Sequence, residues 1–150
     1  MSTDKERQLN DLKVNFIIKE ASGNNKSAFE YLHLMATSAR IADDIKDEPE
    51  KIDVKKLMEL VEYLFISIPG NQFFQKHRDM LFAQHIVLWN AWEASNILNT
   101  GDKTDKIYAH VLRDYINELL PLVAFLTQGQ CKMKEINLLI RKIFKKKLGE

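Results

Sequence analysis

Glycine and proline are scarce in this chain, with 5 Gly and 3 Pro among 150 residues. A sandwich or barrel of short strands needs a turn about every 8 to 12 residues, and these two residue types supply most turns. The chain therefore favours long helices over many strands. At this length a folded chain buries roughly two thirds of its unfolded surface, which is enough for one core without a metal or disulfide staple. We expect a single domain over residues 1–150 with an all-α fold.

Capping and stop signals divide the chain into predicted helices. Thr3 and Ser27 each lie three residues before a Glu, in the capping-box pattern that opens a helix, and Asp53 and Asn71 are further N-cap residues. We expect Pro121 to bend the fifth helix because its ring cannot donate a backbone hydrogen bond. The predicted helices cover about residues 4–20, 27–46, 54–68, 71–99, 104–127 and 132–147. The sequence therefore predicts a single bundle of about six helices with a long central helix over 71–99.

Apolar residues at helical spacing indicate which side of each predicted helix faces the core. We expect the narrow stripe of the third helix to be buried, which leaves Glu59 and Glu62 on the surface. The stripe consists of Val54, Leu57, Val61, Leu64, Phe65 and Ile68. On the central helix we expect Trp89 and Trp92 to be core residues, since buried aromatic side chains are typical there. Residues 14–18 also fit a short strand, an alternative within the first helix.

Charge is distributed unevenly, although Lys plus Arg, 22, nearly balances Asp plus Glu, 21. Residues 132–150 hold seven basic and two acidic side chains, so the preceding 131 residues carry a net charge of −4. The predicted C-terminal helix, over about 132–147, is therefore basic as well as amphipathic. Such a helix contacts nucleic acid in some proteins, but a solvated face near the helix C-terminus is commoner and is what we expect.

The lone Cys131 cannot form a disulfide within the chain, which favours a reducing compartment. The first 20 residues are charged, and no run approaches the roughly 18 consecutive apolar residues of a membrane-spanning helix. We therefore expect a cytoplasmic protein with neither a signal peptide nor a membrane span.

Acidic residues interrupt the apolar faces of two predicted helices. Asp43 lies within the face of the second helix, and Asp47 follows one turn later. Glu118 lies in the face of the fifth helix, with Asp114 one turn before it. A carboxylate that is buried without a partner is very costly, so such residues are paired, hydrogen-bonded or metal-bound.

Four carboxylates on facing helices are the ligand type and arrangement that hold Mg²⁺ or Mn²⁺. One interpretation is a centre of one or two such ions that binds a phosphate- or diphosphate-bearing small molecule, as a metal-dependent enzyme or binder. Its metal ligands are Asp43, Asp47, Asp114 and Glu118. Its other residues are Arg40, Arg113 and Asn96 for substrate binding and His85 as the catalytic acid or base.

Two alternatives remain open. In the first, the acids pair internally with Arg40 and Arg113, and the chain is a non-catalytic helical interaction or structural protein. His85 is then a core histidine, which is the commoner role of a lone histidine on an apolar face. A homo-oligomer is open under either interpretation. In the second, two carboxylates about 5 to 9 Å apart flank an open cleft and cleave a glycoside.

Asp43-Asp44-Ile45-Lys46-Asp47 resembles the DDxxD motif of the all-α isoprenoid synthases. The resemblance implies that these aspartates hold Mg²⁺ against a substrate diphosphate, with Asp114 and Glu118 in the place of the family's second acidic motif. It covers these five residues and that pair. Glu59-x-x-Glu62 followed by Glu93-x-x-Asn96 is similar to the ExxE and ExxD signature of all-α nucleotide pyrophosphatases, although the last position is Asn.

Four segments together resemble small helical proteins of tailed bacteriophages: Ala39–Asp44, Pro69–Phe74, Trp89–Trp92 and Leu112–Tyr115. The resemblance spans most of the chain and implies no activity. It implies a location in a bacterial cytoplasm, in a phage-infected host or in a virion. It also fits the alternative of a phage accessory or virion component.

Overall fold

The computed structural model describes residues 3–144, and within that range the chain forms helices joined by short turns and contains no strand. The helices are α1 (Asp4–Ser22), α2 (Lys26–Asp47), α3 (Val54–Glu62), α4 (Gln72–Lys76), α5 (Arg78–Leu98), α6 (Lys103–Arg113), α7 (Leu119–Gln128) and α8 (Gln130–Ile143). The chain also forms 3₁₀ turns at Pro49–Lys51 and Asp114–Glu118 and a π-helical turn at Tyr63–Ser67. The all-α bundle predicted from the sequence is confirmed, and residues 14–18 belong to α1.

Two of the predicted helix starts show how short polar side chains fix a helix end. The capping box of α1 is confirmed: Thr3 Oγ1 accepts from the Glu6 N–H at 3.2 Å, and Glu6 Oε2 accepts from the Thr3 N–H at 2.9 Å. The N-cap predicted for α2 is wrong, because Asn25 takes that position and accepts from the Ala28 N–H at 3.0 Å. Asn caps as well as Ser does, and Asn25 lies in the extended conformation that a cap requires.

The core of the bundle is formed mainly by α1, α2, α7 and α8, and the inner sides of α4 and α5 pack into it. Side chains with at most 2% exposure include Ile17, Ile18, Tyr31, Leu119, Val123, Ile136 and Ile140. The ends of α1 and α7 are held together by polar contacts, since Thr127 Oγ1 and Gln128 Nε2 both donate to the Ala21 carbonyl at 3.0 Å. Gly23 turns the chain beside this contact with a φ of 60°, a conformation that favours glycine.

The third predicted helix lies on the surface with an unexpected orientation. It passes into the π-helical turn, where the Ile68 N–H bonds to the Tyr63 carbonyl five residues back at 2.9 Å. None of the nine residues of α3 is buried. The expected burial of its apolar stripe is therefore wrong except at Ile68, because the π turn adds a residue and rotates Ile68 toward the core.

The long helix predicted over 71–99 is divided at His77, which leaves the helical conformation with φ −115° and ψ 26°. Asn71 caps the first part as predicted, accepting from the Phe74 N–H at 2.9 Å, and its amide donates to the Ser27 carbonyl at 2.9 Å. The second part is α5, which packs against α6 after a short turn. The inner side of α5 is buried in the bundle through Leu81 and Leu88.

The fifth predicted helix is helical from Lys103 to Gln128, but its irregularity precedes Pro121. Residues 114–118 tighten to a 3₁₀ turn, and Pro121 is the third residue of α7. In the first turn of a helix the N–H group has no intrahelical partner, so a proline is accommodated there without loss. Helix α8 follows Gly129, and the lysines predicted at its end, residues 145–147, lie outside the described residues.

Candidate functional site

Asp43 lies on α2, partly buried, and its side chain turns toward α5. Its Oδ1 accepts a hydrogen bond from Trp92 Nε1 at 2.7 Å. An indole nitrogen is a donor only, so the carboxylate is the acceptor. Arg40, which the internal-pairing hypothesis places with these acids, instead donates to Asp11 of α1 at 2.5 Å. Asp43 is therefore stabilised by an aromatic donor that sequence reasoning treated as a separate core residue.

Arg113 connects two of the other predicted residues. It donates to Asn96 Oδ1 at 3.2 Å and lies 4.0 Å from Asp47 Oδ1. The structure therefore brings the ends of α2, α5 and α6 together at one guanidinium. Asp47 is more than half exposed, and an ion pair at this distance near solvent contributes less than about 1 kcal/mol.

Glu118 forms an ion pair with Arg141 of α8. The reason lies in the 3₁₀ turn: each of its residues advances about 120° rather than about 100°, so residues 114–118 rotate Glu118 by roughly a quarter turn from its predicted direction. Asp114 opens that turn and is partly buried. Asp114 and Glu118 are four residues apart, as predicted, but they lie in a 3₁₀ turn and not in an α-helix. The two carboxylates therefore do not share one helix face.

His85 lies in the contact between α2 and α5. Its Nε2 is 2.6 Å from the hydroxyl of the fully buried Tyr31, and its ring stacks on Phe74 at 5.6 Å between centroids. Burial lowers the pKa of His85 and raises the pKa of Tyr31, so both groups are neutral near pH 7. The Tyr31 hydroxyl and His85 Nε2 share one hydrogen bond, whose donor depends on the imidazole tautomer, and such a contact between helices is typical of a structural histidine.

The predicted metal ligands thus contact different partners on different elements. Asp43 binds Trp92, Asp47 lies near Arg113, and Glu118 pairs with Arg141. Within residues 3–144 no group of three or more His, Cys, Asp or Glu side chains is arranged to hold a metal ion. The Mg²⁺ or Mn²⁺ centre stays a prediction, and the described geometry gives it no support.

A cleft of about 350 Å³ lies between α1, α2 and the 3₁₀ turn at residues 114–118. Arg40, Asp43 and Asp44 contribute polar groups to its wall, and Phe144 lies at one end. Most of the remaining lining is apolar, from residues such as Ile17. Its volume is at the lower end of small-molecule sites, about 300–1,000 Å³. Of the eight predicted site residues, this cleft brings together Arg40 and Asp43.

A larger feature is the outward apolar face of α3 and its π turn, which we call the α3 face. It exposes between 38% and 77% of each side chain, with Val54 at 70% and Phe65 at 77%. The α3 face comprises Val54, Leu57, Met58, Val61, Leu64 and Phe65. The polar side of the helix turns toward the body, where the Tyr63 hydroxyl donates to Glu59 Oε1 at 2.5 Å. The carboxylate acceptor holds the pKa of Tyr63 above its ordinary value.

Helix α5 has a second outward apolar stripe, which we call the α5 face. It consists of Phe82, Ile86, Trp89 and Ile97. These positions follow spacings of four, three and eight residues, so they share one side of the helix, opposite the buried Leu81 and Leu88. The expectation that Trp89 is a core residue is wrong, since 57% of it is exposed, while Trp92 is partly buried.

Seventeen of the 22 exposed large apolar side chains in residues 3–144 lie between Ile52 and Val111. Sequence reasoning found the apolar stripe on α3 but assigned it to the core, because periodicity identifies an amphipathic side without saying what covers it. A usable signal was α5, where apolar residues occupy more than one side of the helix. Such a helix needs a packing surface on each apolar side, and the neighbouring helices of a small bundle do not cover all of them.

No protein-family model, curated protein or solved structure matches this chain. No helix in residues 3–144 combines the length and the apolar character that crossing a membrane requires.

Proposed function

We propose that this chain is a non-catalytic helical module that functions by assembling with further copies of itself, as a structural or accessory component. The observation that carries the proposal is the concentration of exposed large apolar side chains between Ile52 and Val111. The largest apolar patch on an ordinary monomer is roughly 300–600 Å². The α3 face alone leaves six adjacent large apolar side chains 38% to 77% exposed, which places it at the upper end of that range.

Three residues predicted for a metal, substrate or catalytic role support this proposal. Asp43, Arg113 and His85 each bind a neighbouring side chain across helix contacts, and these contacts hold α2, α5 and α6 together. Polar groups used in this way fix the position of helices. They stabilise the platform that presents the two apolar faces.

Charge favours copies of this chain as partners over a strongly charged macromolecule. The net charge is +1, so two copies repel each other weakly over long distances. Each copy has two apolar faces on different helices, and two faces allow one copy to contact two others. An assembly larger than a dimer is then accessible, as a structural component requires.

The test is the molar mass in solution, measured by light scattering across a wide range of protein concentration. We expect a mass above the 17.5 kDa of one chain, rising with concentration. The double variant Phe65→Ser/Trp89→Ser, which makes both faces polar, should shift the mass toward that of one chain. Phe16→Ser is the matched control, because Phe16 is also half exposed but lies on α1.

Two results would overturn the proposal. One is a wild-type mass of 17.5 kDa at every concentration, which would leave the faces for a different protein partner. The other is an equal loss of mass in the Phe16→Ser control, which would place the contact elsewhere. Circular dichroism of each variant establishes that a change in mass does not arise from unfolding.

A further inference from the structure

We propose that two copies of this chain pair through the α3 face, with the two α3 helices antiparallel about a two-fold axis that passes close to Met58. The inference rests on the proposed function and gives it a geometry.

The area of the α3 face suits this pairing. A standard interface buries about 800 Å² on each partner, and the α3 face offers six large apolar side chains that are 38% to 77% exposed. The exposed side chains of Ile66, at the end of the face, and Ile52, before its beginning, extend the apolar surface. The α3 face therefore supplies the apolar centre of an interface, and its neighbours complete the area.

Lys55 and Glu62 determine the direction of the pairing. They are seven residues apart, so they lie on the same edge of the α3 face and about 10 Å from each other along the helix. Both residues are exposed, and within residues 3–144 neither one is in an ion pair. One edge of the face therefore presents a positive end and a negative end.

A two-fold axis between these residues makes the edge complementary to itself. The axis sets Lys55 of one copy against Glu62 of the other, and the symmetry repeats that pair at the other end of the same edge. Parallel packing of the same faces would instead place this edge on opposite sides of the contact, where Lys55 and Glu62 of the two copies do not meet. Opposite charges that meet across an interface are favourable, so the edge selects the antiparallel arrangement.

The remaining charges of α3 do not compete for this role. Lys56 Nζ lies 3.4 Å from Glu59 Oε2, and Glu59 also accepts from Tyr63. These contacts occupy the side of the helix opposite the α3 face. Lys55 and Glu62 are thus the charged groups of α3 that remain for a second copy.

Site-specific cross-linking tests the direction and the register. Cys131 is exposed, so the experiment uses the otherwise intact chain with Cys131→Ser. Met58→Cys lies near the axis, within the roughly 4.4–6.8 Å Cα separation of a disulfide, and should form covalent dimers under mild oxidation. Val54→Cys should not, because the antiparallel register places residue 54 about 13 Å from its copy along the helix.

Both variants forming covalent dimers would indicate a parallel pair and would overturn the proposal. Neither forming them would also overturn it, since Met58→Cys then lies away from any symmetric contact. Lys56→Cys, on the opposite side of α3, is the control for collisional cross-linking and should remain monomeric on a non-reducing gel.

Charge exchange tests the reciprocal ion pairs in solution. Lys55→Glu and Glu62→Lys should each raise the dissociation constant of the dimer about tenfold, because each change creates two like-charge contacts per dimer. The double variant Lys55→Glu/Glu62→Lys restores opposite charges and should recover the wild-type dissociation constant. Sedimentation velocity at low salt measures all four proteins.

These experiments separate the two proposals. If wild type is an oligomer and the charge-exchange variants have the same dissociation constant as wild type, the α3 pairing is overturned. Self-assembly would then occur through the α5 face. A wild-type monomer would overturn both. Recovery of dimerisation in the double variant, together with cross-linking of Met58→Cys, would support both.

Discussion

The bundle of α1, α2, α7 and α8 and the segment from Ile52 to Val111 use apolar side chains in opposite ways. In the bundle, Ile17, Val123 and Ile136 are completely buried. In the segment, residues of the same types, such as Val54 and Ile97, are at least 70% exposed. Both regions contain amphipathic helices with regular stripes. The burial of an apolar stripe therefore depends on the helices packed against it and not on the spacing of its residues.

The largest expected effect comes from the same substitution made in both regions. Leu119→Ala, at 2% exposure, removes buried methyl groups and leaves a cavity, so it should lower the free energy of unfolding by about 3 kcal/mol. Leu64→Ala, at 50% exposure, should lower it by less than about 1 kcal/mol in dilute protein. Urea unfolding followed by circular dichroism measures both variants. Equal losses of stability in the two variants would show that the α3 face is covered within one chain, which would contradict the difference between the two regions.

The contact between the two regions should be sensitive to Trp92. Trp92→Phe keeps an aromatic ring but removes the indole donor to Asp43, which leaves a partly buried carboxylate without that hydrogen bond. We expect a loss of about 1–2 kcal/mol in the free energy of unfolding. Asp43→Asn should cost less, because the amide oxygen still accepts from the indole. A larger loss of stability in Asp43→Asn than in Trp92→Phe would mean that the negative charge of Asp43 makes a further stabilising interaction.

Asp43→Asn, compared with wild type, also tests the metal hypothesis. Without a metal centre, Mn²⁺ should leave the urea midpoints of wild type and Asp43→Asn unchanged. An increase in wild type that Asp43→Asn abolishes would revive the ligand set Asp43, Asp47, Asp114 and Glu118. NaCl at equal ionic strength is the control, because Na⁺ does not compete for a divalent carboxylate site at that concentration.

A smaller effect is expected at His85, the second contact between the regions. Burial keeps the folded-state pKa of His85 below its ordinary value of 6.5, so the unfolded chain binds the proton more readily. Stability should therefore fall as the pH drops through 6.5 and below. The folded-state pKa values of His33 and His77 are lowered by burial too, and they contribute with the same sign.

His85→Gln should flatten part of this dependence, measured as the urea midpoint between pH 7.5 and pH 5. The control is His110→Gln, since His110 is exposed on α6. A pH dependence that is the same in His85→Gln and in wild type would remove His85 as its source.

The smallest effect is expected at Arg40. Its partner is Asp11, and both side chains are more than half exposed. Arg40→Gln should therefore lower the free energy of unfolding by about 0.5 kcal/mol or less, an effect that high salt also removes. A loss comparable to that of Leu119→Ala would show that the guanidinium supports the core of the bundle, and that the exposed pair is not a surface contact.

Much of the fold could be predicted because its signals are local. The scarcity of Gly and Pro predicts long helices, and the structure confirms them. Each predicted cap depends on neighbouring residues, and the caps at Thr3, Asp53 and Asn71 are confirmed as well. The buried faces of α5 and α8 were also predicted, since Leu81, Leu88 and Ile136 follow the helical period.

The candidate site could be predicted less well because it depends on phase and on distant partners. The π turn at Tyr63–Ser67 and the 3₁₀ turn at Asp114–Glu118 each change the rotation per residue, which shifts the directions assigned to Ile68 and Glu118. The partners of Asp43 and His85 lie about 50 residues away in the chain. Helical periodicity carries no information about either.

The sequence by itself determined that this chain folds as helices, where most of them begin, and that each has an apolar side. Those properties follow from backbone conformation and side-chain spacing within a few turns. Only the tertiary structure shows that the apolar sides of α1, α2, α7 and α8 and the inner side of α5 meet in a core, while the α3 face and the α5 face point outward. The physical reason is that a stripe is buried by whatever surface packs against it, and that surface is formed by residues far away in the chain or by another molecule.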